Sequence, residues 1–393
     1  MPRNSKKSTA GKRGSAVELA KPVRDRNPGD RSDISAGAVP ADKLEASFPK
    51  LKLPIQPPYP PMEAKPVSQI PNGEDWQYEP KWDGFRCLAF KDDNDVVLQS
   101  KAGQPLGRYF PEVVQAVRLL SHERFVLDGE IVISRGGHFS FDDLLMRIHP
   151  AESRIRKLSE ETPATLLVFD LLVDPEGKSL VERPLETRRQ QLMKFFARTG
   201  SDWIRLSPAS LSFPVAEKWL KELSASGFDG VIAKRRDTAY ASGERTAMQK
   251  VKRMRTADCV VGGFRWASKG GEVGSLLLGL YDDEGKLNHV GFSSSFNAED
   301  RAKLKGLLKP YMGGAGFTGR APGGPSRWST ERTGEWEPLD PQLVCEVRYD
   351  HFSGERFRHG TKFLRWRPEK KPKSCTFEQL QSGKGSVEDV WAA

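Results

Sequence analysis

The stretch Trp76-Gln77-Tyr78-Glu79-Pro80-Lys81-Trp82-Asp83-Gly84-Phe85-Arg86-Cys87-Leu88-Ala89-Phe90 sets a lysine two residues ahead of an Asp-Gly pair, with an arginine five residues beyond it. The segments on either side, Trp76 to Tyr78 and Phe85 to Phe90, are apolar and strand-like. Asp-Gly suits a tight connection, because glycine accepts positive φ and aspartate bonds its own backbone. A turn of that kind would hold the Lys81 amine rigidly at the mouth of a pocket. Taken alone, the same residues describe a plain hairpin with an exposed lysine equally well, so the remainder of the chain decides.

Outward from this stretch the pattern is mixed α/β to about residue 255. Val96-Val97-Leu98 follows the turn residues Asp92 to Asp95, which predicts a hairpin. Pro111 to Leu120 reads as a helix, and further helices are expected at 184–198 and 213–226, the last opened by Ser212 as N-cap. Phe125-Val126-Leu127 and Ile131-Val132-Ile133 flank Asp128-Gly129-Glu130 in one strand-like unit, and Leu166 to Leu172 is apolar enough for a central buried strand. Val231-Ile232-Ala233 adds another short strand. Beyond Thr256 the texture changes to five short β segments, at 259–261, 276–280, 290–292, 343–347 and 363–366, interrupted by one helix near 298–309. That series fits a small barrel of the oligonucleotide-binding type, with 313–338, rich in Gly, Pro and Trp, as a long internal loop.

The bulk properties narrow the class. A chain of 393 residues has room for two or three domains, and 37% hydrophobic with 29% charged residues describes a globular protein. No apolar run approaches the roughly 20 residues of a membrane span, and no apolar core follows the basic N-terminus as a secretory signal would require. The four cysteines, Cys87, Cys259, Cys345 and Cys375, are widely spaced, which argues against a zinc site or a disulfide framework and for a reducing compartment. A net charge of +10 favours a polyanionic partner. Residues 1–50 read as a disordered basic arm, 51–255 and 256–372 as the two folded domains, and 373–393 as a tail.

Several polar clusters fall at the ends or edges of these strands: Lys81-x-Asp83-Gly84-x-Arg86, Ser100-Lys101-x-Gly103, Asp128-Gly129-Glu130, Phe169-Asp170, Asp229-Gly230-Val231-Ile232-Ala233-Lys234, Lys250-x-Lys252 and Arg365-x-Arg367-x-x-Lys370. Any one of them is weak, since an Asp-Gly-Glu is usually a turn and a Lys-x-Lys strand usually a solvated face. In this order, the set resembles the signature of the covalent nucleotidyltransferases, which comprise ATP-dependent DNA ligases, RNA ligases and mRNA capping enzymes. The resemblance spans about residues 75–372 and is nearest to compact, stand-alone bacterial ATP-dependent DNA ligases. Gly103 with Phe110-Pro111-Glu112, and the ending Phe357-Arg358-His359-Gly360-Thr361-Lys362-Phe363-Leu364-Arg365-Trp366-Arg367-Pro368, carry that closer match.

The resemblance implies an α+β protein, with an ATP-grasp-like nucleotidyltransferase (adenylation) domain followed by an OB-fold β-barrel. It implies Lys81 as the nucleophile that becomes a lysyl-AMP phosphoramidate, assisted by Lys234, Lys250 and Lys252, the last two at the α-phosphate. Glu79 would lie by the adenine amino edge, Phe169 and Ile232 would sandwich the base, and Arg86 and Glu130 would hold the ribose. Asp229, together with Glu130, would bind Mg²⁺ or Mn²⁺. Lys101 would meet the 5′-phosphate of a DNA nick, and Arg365, Arg367 and Lys370 would orient the β- and γ-phosphates of ATP. The amine must be neutral to attack, and burial beside Lys234, Lys250, Lys252 and a metal would disfavour its ammonium form.

Other positions have plainer readings. Phe169 reads equally as a core aromatic, Asp83-Gly84 as a turn, and Asp170 as a helix cap. Two positions depart from the family pattern: Asp229 stands where glutamate is usual, and Lys101 where arginine is usual, the latter losing bidentate phosphate bonding. The expected partners are ATP, nicked double-stranded DNA and DNA-repair proteins, for a cytoplasmic, nucleoid-associated monomer without a membrane anchor. No helical domain is expected ahead of the core to help encircle DNA, and a hinge is expected at Met254 to Ala257. The alternatives are an RNA ligase or mRNA-capping-type enzyme on the same scaffold, and a DNA-binding scaffold with a decayed site. An NAD-dependent ligase is disfavoured by the lack of a four-cysteine zinc cluster.

Overall fold

The computed structural model describes residues 48–199, 201–223, 228–267, 271–323 and 335–380. The expected basic arm and the last thirteen residues lie outside them, as does much of the long loop. The first domain has strands β1 (Trp76–Trp82), β2 (Phe85–Asp92) and β3 (Asp95–Ser100), helix α1 (Pro111–Leu119) and strand β4 (Arg124–Arg135). Helices α2 (Phe141–Arg147) and α3 (Glu152–Glu161), strand β5 (Ala164–Val173), helix α4 (Leu185–Ala197) and strand β6 (Ile204–Leu206) follow. Helix α5 (Phe213–Lys218) and strands β7 (Phe228–Arg235) and β8 (Met248–Lys252) complete it.

The two strands flanking Asp83-Gly84 do not form a hairpin. β1 joins a sheet in the order β8-β7-β1, with Lys65–Pro66 on its outer edge, whereas β2 joins a second sheet in the order β3-β2-β4-β5-β6. The link between them therefore crosses from sheet to sheet and opens a cleft. Gly84 is not at positive φ. It is glycine because a Cβ there would stand 2.2 Å from the Ile131 carbonyl oxygen. Gly129 and Gly230 obey the same constraint, a Cβ at Gly129 meeting Leu167 O at 2.6 Å and one at Gly230 meeting Val251 O at 2.0 Å. All three Asp-Gly pairs thus mark close backbone approach rather than left-handed turns.

Alternation along the strands sorts side chains to two faces. In the larger sheet Cys87, Ala89, Phe125, Leu127, Ile131 and Val168 pack under helices α1 to α4. In the smaller sheet Tyr78, Val231 and Ala233 pack with Ala216 and Trp219 beyond α5. The opposite faces look at each other across the cleft. At one end they share an apolar cluster of Leu88, Phe90, Val126, Tyr240 and Met248, joined by Leu51, Leu53, Ile55 and Met62. Residues from Leu51 onward therefore belong to the folded core. Helix α4 forms where expected; α5 is shorter than expected, passing into a π turn at Trp219–Leu223, and Ser212 makes no capping bond. Asp170 caps no helix: it is buried and paired with Arg188 at 2.8 Å.

The second domain is a barrel of β9 (Arg255–Trp266), β10 (Val273–Tyr281), β11 (Leu287–Ser293), helix α6 (Ala298–Leu308), β12 (Val344–Tyr349) and β13 (Lys362–Trp366). Its order is β11-β10-β9-β12-β13, and a bridge from Ser293 to Thr361 brings the last strand back to β11. A five-stranded barrel with a helix between its third and fourth strands is the oligonucleotide-binding architecture. Asn297 caps α6 by accepting from Asp300 N at 2.7 Å. The chain beyond 372 is not a loose tail up to Leu380, since Cys375 and Leu380 are buried in the barrel core and Tyr281 N donates to Cys375 O at 2.8 Å. Phe317 and Trp336, at the two described ends of the long loop, stack into the same core. The four cysteines are all free and buried.

His289 is buried on β11 beside Phe317. Burial, and then Arg356, Arg265 and Arg320, push its imidazole down to about 3. The unfolded chain therefore takes up this proton first, and the residue's contribution to stability is lost as pH falls from about 6.5 towards 3. His289→Leu is expected to lessen acid sensitivity by roughly 1 kcal/mol per pH unit across that window, as read from urea unfolding at pH 7, 6, 5 and 4. An unchanged gap between the two proteins at all four values would contradict this.

Candidate active site

Pairing registers assemble the cleft row by row. On the smaller sheet Lys81 and Lys252 both pair with Gly230, Glu79 and Lys250 both pair with Ile232, and Gln77 and Met248 both pair with Lys234. Paired residues share a face, as do residues two apart. One sheet face therefore carries Glu79, Lys81, Ile232, Lys234, Lys250 and Lys252 together. The facing sheet contributes Arg86, paired with Glu130, and Asp128 two residues before it.

Two β-bulges complete the set. The register of β1 against β7 slips between Lys81 and Trp82, which leaves Asp229 without a partner on β1. That slip turns its carboxylate towards the lysine face, with Lys81 Nζ 2.7 Å from Asp229 Oδ1 and Lys252 Nζ 3.6 Å from Oδ2. The register of β4 against β5 slips between Asp128 and Gly129, leaving Phe169 as the extra residue. Its ring faces the cleft, 4.6 Å from the Arg86 guanidinium and 4.4 Å from Lys234 Nζ. Bulges commonly re-aim side chains beside active sites. Phe169 is thus a cleft residue and not a core aromatic, facing the sheet that carries Ile232.

The charges are tightly paired. Lys234 and Glu79, each nearly inaccessible, lie 2.7 Å apart, and Gln77 donates to Glu79 at 2.7 Å. Arg86 binds Asp128 through Nε and Nη2, both at 2.6 Å, while the Tyr240 hydroxyl donates to the same carboxylate at 2.6 Å. Burial pulls the Lys81 pKa down, but Asp229 and then Asp83 outweigh it and hold the amine above its ordinary range. In this arrangement Asp229 and Asp83 favour the ammonium form of Lys81. The expectation of an amine neutralised by neighbouring lysines fails here because the groups nearest to it are carboxylates, while Lys234 is turned to Glu79. Asp229 is held below the usual carboxylate range: burial raises it, and Lys81 and Lys252 lower it further than that.

The barrel reaches this site through a segment around Asp350 and Arg358 to which the sequence reading gave no role at Lys81. Between β12 and β13 a short hairpin, Phe352–Ser353 against Arg356–Phe357, is flanked by Asp350-His351 and Arg358-His359. Asp350 accepts from Lys252 at 3.0 Å and lies 3.1 Å from His359 Nδ1. Burial would raise Asp350, but His359 and Lys252 hold it far below its ordinary value. Arg358 pairs with Asp83 and lays its guanidinium over the Phe141 ring at 3.7 Å. Asp83 therefore does more than shape a turn. The signal available in the sequence was two acid- or base-histidine dipeptides closing a Gly-Glu turn, which no spacing rule connects to Lys81.

Other expected members sit elsewhere. Arg365 pairs with Glu346 at 2.7 Å, Arg367 with Asp258 at 2.9 Å, and Lys370 with Asp258 at 3.3 Å, all within the barrel. Lys101 follows β3 in a turn and lies 3.7 Å from Glu63. Among the described residues no group of three or more His, Cys, Asp or Glu is placed to hold a metal ion. Asp229 and Glu130 beside Lys81 still fit a hard divalent cation of the Mg²⁺ type, which needs only one or two carboxylates when phosphate and water supply the remaining oxygens.

Residues 61–252 match the ATP dependent DNA ligase domain, and residues 269–370 match the ATP dependent DNA ligase C terminal region. DNA ligase C1 of Mycolicibacterium smegmatis is 46% identical over 342 residues, which cover 84% of this chain and 96% of that protein. DNA ligase C of Mycobacterium tuberculosis is 41% identical over 347 residues, covering 84% and 96%. This chain belongs to the ATP-dependent DNA ligases. The fold agrees: the solved structure of Pmar-Lig_PreS3 superposes with a TM-score of 0.50 at 20% identity, over 74% of the ligase described here and 63% of that chain. The first matched region ends where β8 does, at Lys252, and the second begins at residue 269, beyond the end of β9 (Arg255–Trp266).

Glu130 gives the ligase's pocket a pH signature. Burial is the largest influence and pushes its carboxyl up to about 7, against the opposing pull of Arg86 and Lys81. Folding then binds a proton between about pH 4.5 and 7, so Glu130 costs stability progressively as pH rises through that window. Glu130→Gln is expected to raise the melting temperature by a few degrees at pH 8, about 1 kcal/mol. The gain should vanish near pH 4.5. Melting curves that show the same shift at both pH values would exclude the assignment.

Proposed function

We propose that this ligase seals nicks in duplex DNA through a Lys81-linked adenylate. The single observation that carries the reading is the row Lys81–Gly230–Lys252 with Asp229 turned into it, which sets a nucleophile, a phosphate-binding cation and a carboxylate within one ion-pair cluster. In the first step the Lys81 nitrogen attacks the α-phosphorus of ATP. A P–N bond forms, the bond between the α-phosphorus and the bridging oxygen breaks, and pyrophosphate leaves. Lys81 must shed its proton beforehand, and for that its pairing with Asp229 must open. Once that counterion is withdrawn, burial favours the neutral amine. Asp229 and Glu130 would hold Mg²⁺ or Mn²⁺, which when bound supplies Lewis-acid stabilisation of phosphate charge. Lys252 and Lys250 would face the α-phosphate, whose charge rises as the bond breaks.

The base would enter between Phe169 and Ile232, with Glu79 at its amino edge and Arg86, locked by Asp128, at the ribose. In the second step the P–N bond breaks and AMP passes to the 5′-phosphate of the nick, with Lys101 placed for that phosphate. In the third step the 3′-hydroxyl attacks the activated phosphate, a phosphodiester forms, and AMP departs. Arg365, Arg367 and Lys370 would serve the first step only after the barrel turns about residues 253–254, because in the present arrangement a different barrel face meets the pocket. The domain limits we propose are 48–252 for adenylation and 255–380 for the barrel. A role in DNA repair fits the names of its relatives, which include "Multifunctional non-homologous end joining DNA repair protein LigD" at 30% identity; a cytoplasmic, monomeric enzyme is part of the same proposal.

Incubation with α-labelled ATP is expected to label the wild-type protein and leave Lys81→Ala unlabelled. Labelling of that variant at the wild-type level would refute the nucleophile. The same gel, run with GTP and with nicked RNA, separates the alternatives: a capping-type enzyme takes label from GTP, and an RNA ligase joins the RNA nick in preference.

A further inference from the structure

Two arginine–carboxylate pairs support the nucleotide cleft from behind, and one tyrosine meets both. Arg86 of β2 pairs with Asp128 of β4, and Arg188 of α4 pairs with Asp170 of β5, the residue after Phe169. Tyr240, from the connection between β7 and β8, donates its hydroxyl proton to Asp128 Oδ2 at 2.6 Å. The Arg188 guanidinium lies 5.5 Å from the centre of its ring, and Tyr59 stacks on the ring at 6.4 Å. The direction of the hydroxyl proton is set by the opposite side of the oxygen, which accepts from Met62 N at 2.9 Å. Burial, and then Asp128, push this hydroxyl well above its ordinary value, so it stays a donor through neutral pH. Arg86 Nη2 in turn donates to Met62 O at 3.5 Å. Met62, Tyr240, Asp128 and Arg86 therefore close a ring of hydrogen bonds.

That ring fixes a plane. Asp128 accepts from Arg86 Nε and Nη2, both at 2.6 Å, which leaves Nη1 as the nitrogen without a hydrogen-bond partner among the described residues. A free arginine stem samples many rotamers, and a carboxylate can turn about its own bonds and take its arginine with it. Asp128 is fully buried, so protein donors alone set its rotation, and Tyr240 is the donor that comes from outside the two strands carrying the pair. We propose that Tyr240 is a positioning residue for nucleotide selection: through Asp128 it aims Arg86 Nη1 at the ribose hydroxyls and so sets a preference for ATP over 2′-deoxy-ATP. The proposal rests on the placement of Arg86 at the ribose given above and adds the residue that makes this contact selective. A donor held in place is left unpaired when the sugar lacks its hydroxyl, whereas a loosely held one turns to water and discriminates little.

The test is the rate of protein labelling by α-labelled ATP and by α-labelled 2′-deoxy-ATP over a range of nucleotide concentrations. The wild-type protein is expected to favour ATP by about tenfold or more in kcat/KM. Tyr240→Phe keeps the ring and loses the donor. It should raise KM for ATP about 5- to 20-fold, leave the maximal rate within about threefold, and bring the preference for ATP down to about twofold. KM for the deoxynucleotide should stay within about twofold of wild type. The preference is a ratio taken within one protein, so a partly folded variant still reports it. Should Tyr240→Phe not fold at all, Asp128→Asn carries the test, because the effect runs through that carboxylate and the same split between KM and maximal rate is expected there. A fall in maximal rate with the ATP preference intact, in either variant, would overturn the inference and leave Tyr240 a packing residue. So would wild-type kinetics in Tyr240→Phe. A wild-type protein that takes label equally from both nucleotides would instead sink the placement of Arg86 at the ribose, and absence of any labelling would sink the ligase reading itself.

Discussion

Gly230 is the position on which the site depends. It lies at the centre of a three-strand row, paired on one side with Lys81 and on the other with Lys252. The neighbouring strand comes so close that a Cβ would overlap the Val251 carbonyl and press on the Lys252 backbone. Any side chain would have to push β8 away from β7, and with it Lys250 and Lys252 away from Lys81. The adjacent bulge turns the Asp229 carboxylate to this same face. Backbone proximity, a bulge and two cations are therefore one device: three side chains converge because a fourth is absent.

Placing these charges together is costly, and the structure offsets the cost by pairing each one. Arg86 with Asp128, Lys234 with Glu79, and Lys81 with Asp229 are all buried or nearly so, and isolated charges there would carry large desolvation penalties. The pairs make a state in which Arg86, Lys234 and Lys81 each already have a carboxylate of the protein. Substrate must then replace these contacts. A nucleotide brings phosphates that can take over Lys252, and an adenine edge that can take over Glu79. The barrel takes part in the same exchange, since Asp350 occupies Lys252 and Arg358 occupies Asp83 from the far side of the hinge.

Much of this was legible in the residues. The alternation of β2 and β4, the apolar run of β5, the five-strand texture after residue 256 and the ordered Lys, Glu and Lys-x-Lys clusters give the two-domain plan and all of the cleft lysines. What could not be read depends on register. Asp83-Gly84 looks like a hairpin turn because its local chemistry is that of a turn; only the partner strands show that it crosses between sheets. Phe169 and Asp229 enter the cleft through bulges, and a bulge is a property of two paired strands rather than of one. The ammonium state of Lys81 escaped for the same reason: sequence proximity suggested cations as its neighbours, while folding delivers Asp229.

The barrel extends this argument to mechanism. Its strand β12 buries Val344, Cys345 and Val347 in the core and turns Glu346 and Arg348 outward on one face. Glu346 neutralises Arg365 and Arg367, the cations expected at the ATP polyphosphate, and parks them on the barrel. Two residues on, Arg348 has no such counterweight and stands opposite Lys362. Two positions along one strand face thereby differ in whether their cations find a carboxylate. A turn of the barrel that releases Arg365 and Arg367 to a nucleotide would have to break the Asp350 and Arg358 contacts, so the two sets cannot serve the pocket at once.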